Sequence, residues 1–303
     1  FPAVPPTVAS GKLEVKRLIV MTDTPQPTST NPPTPACTWP ADPHEPLHPT
    51  VLYFEQECLV VNKPAGLLTQ SPPGIPSVEA QARRFFINTA THRATDSMEQ
   101  RLIHGPAEFD YVGIPHRLDR ATSGALLLGQ SKPVTRKLAA QFEKRTIKKI
   151  YWALLEGLPP EPAGTWTDWM RKLPDQALSE VTESTDPAAQ WAELDFQVLA
   201  YDAGVSLVEI LLKTGRTHQI RLQASARGWP IIGDTEYGSR NSFGEAFDDH
   251  RRRAIALHAR TIDFWHPKLH RPVVVHAPVP ETWHQFAAEN ATKLRPLLDT
   301  KMV

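Results

Sequence analysis

The chain has 303 residues, of which 41% are hydrophobic and 22% are charged, so it can bury a sizeable core and is not disordered as a whole. This length allows one large domain or two small ones. Lys and Arg together number 33, as do Asp and Glu, which gives a formal net charge of zero. A neutral chain is not an unselective nucleic-acid coat protein, although it can still carry a local basic groove.

The two cysteines, Cys37 and Cys58, allow at most one disulfide and exclude a zinc site built from several thiolates. So few cysteines are typical of a protein from a reducing cytoplasm. No apolar stretch is long enough to span a membrane, and residues 1–20 lack the pattern of a secretory signal. We therefore expect a cytoplasmic protein without membrane contact.

Composition divides the chain into three parts. Residues 1–50 contain twelve of the 30 prolines, and the stretch from Thr22 to Thr50 is rich in Pro, Thr and Ser. Such a stretch buries little apolar surface. We predict a disordered N-terminal extension over residues 1–48, a folded domain over residues 49–290 and a C-terminal tail over residues 291–303.

The first half of the domain predicts a hairpin, a helix, a loop and a strand, in that order. Short apolar runs at residues 51–54 and 58–61 flank three polar residues, which is typical of a hairpin. Residues 77–88 predict a helix, whereas residues 89–111 lack a clear period and predict a long surface loop. The apolar run at residues 124–129 predicts a buried strand.

A helix and three strands are predicted next. Residues 133–145 predict a helix because Pro133 suits its first turn and apolar residues recur every fourth position. Residues 148–156 predict a strand. Residues 191–199 and 205–214 alternate well enough to be paired strands joined by a short turn.

The last elements complete a pattern in which strands outnumber helices. Residues 217–227 predict a helix that ends at Gly228, residues 257–265 and 273–276 predict strands, and residues 281–289 predict a final helix. Few strand–helix–strand units alternate. The sequence therefore predicts an α+β fold, with a single domain built on a mixed, largely antiparallel β-sheet with flanking helices and loops.

One candidate site is the run His-Arg-Leu-Asp-Arg-Ala-Thr-Ser-Gly at residues 116–124. Its only carboxylate, Asp119, stands between Arg117 and Arg120, and two nearby guanidinium groups keep a carboxylate ionised even when it is partly buried. The Thr, Ser and Gly that follow favour a tight turn that aims the carboxylate at a cleft. From the residues alone, an ordinary surface Arg–Asp pair remains open.

A second candidate site lies at residues 213–221, Lys-Thr-Gly-Arg-Thr-His-Gln-Ile-Arg. Gly215 turns the chain between a strand and a helix, and Arg216 stands where the helix begins. Backbone N–H groups at such a point, together with Arg216, attract an anion such as a phosphate or the Asp119 carboxylate. A plain turn with a solvated arginine remains open, as does a core role for Tyr151 on the strand at residues 148–156.

Together these segments resemble the RluA-type RNA pseudouridine synthases, a family that modifies ribosomal and transfer RNA. Residues 116–124 match the family motif His-Arg-Leu-Asp-x-x-Thr-Ser-Gly at every fixed position. Residues 60–66 resemble its first motif, Tyr151 falls on its Lys-x-Tyr-x-Ala motif, and residues 215–221 match its Gly-Arg-Thr-His-Gln-Ile-Arg motif. Gly233-Asp234 and Tyr237-Gly238 follow as in the family. After the first motif, where relatives often carry His, this chain has Thr69-Gln70-Ser71.

The resemblance implies that residues 49–290 are a catalytic domain that isomerises uridine in rRNA or tRNA without metal or cofactor. Asp119 would be the catalytic carboxylate, either attacking the ribose at C1′ or removing the proton at C2′. Arg117 would enter the RNA stack that the flipped uridine leaves. Tyr151 would stack on the flipped base and take part in proton transfer, and Arg216 would pair with Asp119. We expect RNA as the partner and a monomeric enzyme.

RNA binding calls for a basic surface on this neutral chain. Cationic residues crowd the stretch just before Tyr151, and we predict that four of them, with Arg120, bind RNA. The four are Lys144, Arg145, Lys148 and Lys149. The run at residues 251–253 is a second candidate, and for both sets a solvated charged surface remains open.

Two other classes of protein make different predictions. A non-catalytic RNA-binding protein of the same fold would have lost Asp119 or Arg216, yet both are present. A metal hydrolase would use the histidine-rich end of the chain, but His258 and His266 lie eight residues apart on one predicted strand, about 26 Å at ~3.3 Å per residue. That is too far for one ion, and no His-Glu-x-x-His motif accompanies them, so we expect no metal.

Overall fold

The computed structural model describes residues 47–93, 111–245, 249 and 253–299, and for residues 87–93 it describes the backbone alone. Almost all of the predicted N-terminal extension and residues 94–110 of the predicted loop lie outside these ranges. Within them, no helix is long and apolar enough to cross a membrane.

The described residues form a ten-stranded sheet. Its order is β1-β2-β3-β9-β4-β8-β7-β5-β6, and β10 pairs with β9 beyond this path. All neighbours run antiparallel except β3 and β9, which are parallel. The strands are β1 (Thr50–Glu55), β2 (Cys58–Lys63), β3 (Ser123–Gly129), β4 (Lys148–Glu156), β5 (Ala163–Lys172), β6 (Ser179–Thr182), β7 (Gln190–Asp202), β8 (Val205–Leu212), β9 (Leu257–Trp265) and β10 (Pro272–His276).

Five α-helices accompany the sheet in the described part of the chain: α1 (Val78–Arg93), α2 (Lys132–Glu143), α3 (Gln219–Ala226), α4 (Glu281–Asn290) and α5 (Arg295–Leu298). The predicted α+β domain on a mixed, largely antiparallel sheet is therefore confirmed. Local signals explain several boundaries. The Ser131 hydroxyl accepts from the Val134 N–H at the start of α2, and Gly228 adopts a left-handed φ of 84° just after α3.

The core lies on both faces of the sheet because successive side chains of a strand point to opposite faces. In β2, Leu59 and Val61 belong to the larger core, which also holds residues of α1, α3 and α4. Cys58 and Val60 belong to a smaller core that is closed by Val134 and Leu138 of α2 and by residues of β9 and β10. The central strands are thus covered on both sides, which explains their continuous apolar runs.

The predicted hairpins form as expected. β1 and β2 pair antiparallel across Gln56 and Glu57, both of which have positive φ. β7 and β8 pair across Ala203 and Gly204, which also have positive φ, as a two-residue hairpin turn requires.

The structure differs from the sequence prediction in three places. The helix predicted to end at residue 88 continues to Arg93, so residues 89–93 are not loop. Strands β5 and β6 were not predicted, since only Trp166 and Met170 of β5 are buried and no apolar alternation reveals it. The predicted C-terminal tail contains a short 3₁₀-helix and α5, and Leu294 and Leu298 are buried in the larger core.

Candidate active site

A cleft of about 1140 Å³ opens where β8 ends and β4 begins. The loop before β3, the start of β4 and the turn between β8 and α3 meet there, so the three segments that carry the sequence motifs share one site. Eight cationic residues line the cleft: Arg117, Arg145, Lys148, Lys149, Lys172, Lys213, Arg216 and Arg221. Its carboxylates are Asp119, Glu143 and Glu193. The excess of positive charge fits a polyanion, although the whole chain is neutral.

Asp119 lies on the loop that leads into β3, with its side chain 33% exposed to the cleft. The Thr122 N–H donates to its backbone carbonyl at 3.1 Å, so a tight turn follows it as predicted. The turn leads into Gly124, whose φ is 115° and where an added Cβ would stand 2.4 Å from the Ala259 carbonyl oxygen. Only glycine allows β3 to approach β9 this closely, and the parallel pairing fixes the loop.

The segment that resembles the first family motif holds the Asp119 loop from behind. Lys63 is fully buried, and its Nζ donates to the carbonyls of Pro64, Leu67 and Arg120. The Gly66 N–H also donates to the Arg120 carbonyl at 2.7 Å. Burial lowers the pKa of Lys63 to about 7, while the nearby Asp119 charge acts in the opposite direction.

Thr69, which follows the first motif, contributes a further pair of hydrogen bonds. Its hydroxyl donates to the Leu118 carbonyl at 2.9 Å and accepts from the Leu118 N–H at 3.2 Å. The hydroxyl therefore satisfies both backbone groups of the residue before Asp119. The first motif and Thr69 therefore fix the backbone of Leu118 and Arg120, the residues on either side of Asp119.

The arginine that faces Asp119 is Arg221, not Arg216. Arg221 Nη1 lies 3.8 Å from Asp119 Oδ2, and the guanidinium is 4% exposed. Its Nε and Nη2 hold both oxygens of Asp234 at 2.7 Å, and Nη2 also donates to Glu236. Although burial alone would lower the pKa of Arg221, the hydrogen bonds and charge of Asp234 raise it, so the cation is permanent.

Arg216 lines the same cleft but points elsewhere, which corrects the predicted pairing. Its Nε donates to the Trp191 carbonyl at 2.9 Å and its Nη1 to Gln190 at 3.2 Å. The Arg216 N–H donates to the side chain of Gln219 rather than to an anion. No sequence signal distinguished Arg221 from Arg216, because both stand in the same motif and only the contact of α3 with Asp234 buries Arg221.

His218 is a cleft residue that the sequence analysis did not single out. It precedes α3 with φ of 55°, and its Nε2 lies 3.9 Å from Asp119 Oδ2. Its Nδ1 lies 3.0 Å from the Tyr237 hydroxyl. The ring of Tyr237 also packs under the Arg221 guanidinium, 4.8 Å from the ring centroid. The only sequence signal for His218 was its place inside a matched motif.

Tyr151 lies on β4 and lines the cleft, and the residue is 7% exposed. Burial and the Asp119 charge both raise the pKa of Tyr151, so its hydroxyl stays protonated at neutral pH. The structure thus brings Tyr151 and Asp119 into one site, as expected from the sequence motifs.

The predicted RNA-binding residues separate into two groups. Arg117 is exposed at the cleft, and Arg145, Lys148 and Lys149 also line it. Burial lowers the pKa of Lys149 to about 8. Lys144 is exposed but does not line the cleft, and neither does Arg120, whose Nε donates to the Gly66 carbonyl at 2.8 Å and helps to hold the loop.

Residues 251 and 252 of the second basic run lie outside the described residues. Among the residues that are described, no group of three or more His, Cys, Asp or Glu could hold a metal ion. The two histidines considered for a metal have other partners. His258 lies 2.9 Å from the Ser123 hydroxyl, and His266 lies 3.1 Å from the Glu55 carbonyl.

The fold and the site define an RNA-modifying enzyme, and comparison with known proteins agrees. Residues 57–226, more than half of the chain, match the family described as RNA pseudouridylate synthase. The chain belongs to this family and is an RNA pseudouridine synthase.

Individual relatives support the assignment. The chain is 29% identical over 238 residues to a ribosomal large subunit pseudouridine synthase C of Vibrio vulnificus, covering 78% of this chain and 67% of that protein. It is 29% identical over 252 residues to a tRNA pseudouridine synthase C of Salmonella typhi, covering 79% and 88%. Among solved structures, human RNA pseudouridylate synthase domain containing 1 matches with a TM-score of 0.57 and 26% identity, covering 79% of this chain and 87% of that one.

Proposed function

We propose that the chain isomerises specific uridines of ribosomal or transfer RNA to pseudouridine, with Asp119 as the catalytic carboxylate and without a metal ion. The observation that carries the proposal is the position of Asp119: it lies in a cationic cleft within 4 Å of a buried arginine, and it is close enough to raise the pKa of Tyr151. An anion in an RNA site would be repelled by phosphates unless cations surround it.

The reaction is an internal exchange of bonds on one nucleotide. The N1–C1′ bond breaks, the C5–C1′ bond forms, C5 loses a proton and N1 gains one. No water needs to be activated, because the base is never released. The Asp119 carboxylate either attacks C1′ or removes the C2′ proton, and Arg221 stabilises the anion in both cases without a direct hydrogen bond that would block it.

Base flipping brings the uridine to the carboxylate. We propose that the target base leaves its stack and enters the cleft, where Tyr151 stacks on it. The Tyr151 hydroxyl, which is protonated in the free enzyme, gives its proton to N1, and the phenolate so formed accepts the proton that C5 loses. The exposed Arg117 occupies the place that the uridine leaves in the RNA.

The names of the relatives supply the two candidate substrates, large-subunit rRNA and tRNA. We further propose that the enzyme works as a monomer in the cytoplasm. Cysteine usage supports the compartment. Light scattering on the purified chain tests the oligomeric state.

Replacing Asp119 with Asn tests the catalytic assignment. The variant keeps the shape of the side chain and the cationic cleft, so we expect near wild-type RNA affinity and no detectable pseudouridine. Purified wild type and variant are incubated with rRNA and tRNA stem-loops, and pseudouridine is mapped in the products. Multiple-turnover isomerisation by Asp119→Asn contradicts the assignment.

A chelator tests the absence of a metal in the same assay. Spermidine replaces Mg²⁺ so that the RNA stays folded, and EDTA is then added. We expect unchanged turnover. Turnover that EDTA removes and a single divalent cation restores contradicts the metal-free proposal.

Arg117→Ala tests base flipping. Unstacking costs a few kcal/mol only where a stack exists. We therefore expect a larger loss of turnover on a uridine inside a helix than on the same uridine in an open loop. Equal losses on both substrates argue against insertion of Arg117 into the stack.

A further inference from the structure

His218 occupies a strained position beside the carboxylate. Its φ of 55° places it in the left-handed region, which few non-glycine residues other than Asn, Asp and His adopt, and its side chain is 11% exposed. Strain of this kind persists where surrounding contacts fix it, and it clusters at functional sites. Its contacts run in two directions, to the Tyr237 hydroxyl through Nδ1 and towards Asp119 through Nε2.

The Tyr237 hydroxyl determines which nitrogen of His218 carries the proton. It accepts from the buried Ser179 N–H at 2.9 Å. Its own proton can go to His218 Nδ1 at 3.0 Å or to the Ser179 carbonyl at 3.3 Å. If it went to the carbonyl, Nδ1 would carry a proton and the bare Nε2 lone pair would face the Asp119 anion. The tautomer with Tyr237 donating to Nδ1 and Nε2–H facing Asp119 avoids this repulsion.

The two cleft groups that face Asp119 approach the same oxygen. His218 Nε2 lies 3.9 Å and Arg221 Nη1 lies 3.8 Å from Oδ2. Neither contact involves Oδ1, so one oxygen of the carboxylate is left to the substrate. Contacts of this length in a free enzyme shorten when the substrate closes the site.

We propose that His218 is a positioning residue: as a neutral imidazole held by Tyr237, it donates through Nε2–H to Oδ2 of Asp119 and directs Oδ1 at the ribose. This inference rests on the proposed catalytic role of Asp119. Arg221 supplies the charge, and His218 supplies direction without adding a second cation. Burial lowers the pKa of His218, more than offsetting the opposite effect of Asp119, which agrees with a neutral ring.

Three variants separate the ring from the backbone that carries it. His218→Gly keeps the left-handed backbone without strain and removes the imidazole, so we expect kcat to fall about 10- to 100-fold while KM and RNA affinity change less than threefold. His218→Gln places an amide N–H where Nε2–H stood, and we expect it to recover most of the loss. Tyr237→Phe keeps the ring under Arg221 and removes the hydroxyl that orients His218, which is also the acceptor of the Ser179 N–H.

A double-mutant comparison tests whether Tyr237 acts through His218. If it does, Tyr237→Phe lowers kcat in wild type but has little further effect in the His218→Gly background. Additive losses in kcat would show that Tyr237 does not act through His218. A His218→Gly variant that melts as a folded protein and keeps kcat within twofold of wild type overturns the positioning role.

A readout that needs no turnover keeps this inference separate from the proposed function. In the ¹⁵N-labelled chain, ring nitrogen shifts of His218 report the tautomer directly. We expect Nε2–H in the wild type and a mixture of tautomers in Tyr237→Phe. An Nδ1–H tautomer in the wild type overturns the inference even if the chain makes pseudouridine. Failure of the wild type to make pseudouridine on any RNA overturns the proposed function instead.

Discussion

The two walls of the cleft are held by different kinds of interaction. The Asp119 wall, residues 63–69 and 116–124, is held by hydrogen bonds to backbone carbonyls and N–H groups from one buried lysine, one arginine, one hydroxyl and the backbone itself. The Arg221 wall, residues 213–221 with residues 234–237, is held by the buried Arg221 guanidinium, which donates hydrogen bonds to the carboxylates of Asp234 and Glu236. The two walls meet at one pair of charged groups, since Arg221 Nη1 lies 3.8 Å from Asp119 Oδ2.

The difference shows that hydrogen bonds to the backbone fix where the Asp119 loop lies, whereas buried ion pairs fix the positive charge that faces it. On the Asp119 wall the side-chain carboxylate takes no part in holding its own loop, which agrees with the catalytic role that we propose for it. On the Arg221 wall the charge is fixed before RNA arrives, because Asp234 and Glu236 have already neutralised most of the cost of burying it. Substitutions on the two walls should therefore differ in what they change.

The largest effect is expected from Arg221→Ala. It leaves Asp234, which is 1% exposed, without its buried partner, and such a loss destabilises proteins by about 3–5 kcal/mol. It also removes the cation that faces Asp119, so we expect pseudouridine formation to fall below detection even at temperatures where the variant is folded. Urea unfolding and the pseudouridine assay measure the two effects.

Arg216→Ala is the matched control from the same motif. Its hydrogen bonds lie at the surface of the cleft, so we expect a loss of stability of about 1 kcal/mol and turnover within tenfold of wild type. If Arg216→Ala abolished turnover while Arg221→Ala kept it, our assignment of the arginine that serves Asp119 would be wrong.

An intermediate effect, with a distinct pH dependence, is expected from Lys63→Met. Three carbonyls lose their donor, at a cost on the order of 3 kcal/mol. Because the folded-state pKa of Lys63 is about 7 and the unfolded value is higher, the unfolded chain binds more protons between those two pH values. The wild type should therefore gain stability over Lys63→Met as the pH rises from 7 to 10, by at most about 1.4 kcal/mol per pH unit.

Urea unfolding of both proteins at several pH values measures this difference. Taking the difference between the two proteins removes the titration of groups they share. A difference that stays flat from pH 6 to 10 shows that Lys63 keeps its ordinary pKa and holds the loop as an ammonium group, whose three N–H donors match the three carbonyls.

A smaller loss of stability than that of Lys63→Met is expected from Thr69→Val. The substitution keeps the shape but leaves the N–H and carbonyl of Leu118 unpaired, at a cost of about 1–2 kcal/mol. Thr69→Ser retains the hydroxyl and should lose less than half of that. Thermal unfolding ranks the two variants, and equal losses would show that the methyl group rather than the hydroxyl matters.

Local signals in the sequence were enough to predict most elements near the site. The spacing of apolar residues, together with the turn residues, predicts the β1–β2 hairpin, helix α2 and the β7–β8 pair. The position of Asp119 before a buried strand was equally local, because the motif around it is continuous. Strands β5 and β6 were missed because at most one residue in four is buried in either strand. The pairing of β5 with β7 and of β6 with β5, rather than an apolar pattern of their own, creates these strands.

What the sequence by itself determined is the set of chemical groups: one carboxylate between arginines, a tyrosine on a strand, and a run of basic residues inside matched motifs. Only the tertiary structure decided which arginine faces Asp119. Arg216 and Arg221 stand in the same motif five residues apart, and on that spacing alone either could reach the carboxylate. The left-handed turn at His218 begins α3 so that Arg221 lies buried against Asp234 and Tyr237, while Arg216 is left beside Trp191. Long-range contacts of this kind depend on how elements pack, and no local pattern encodes them.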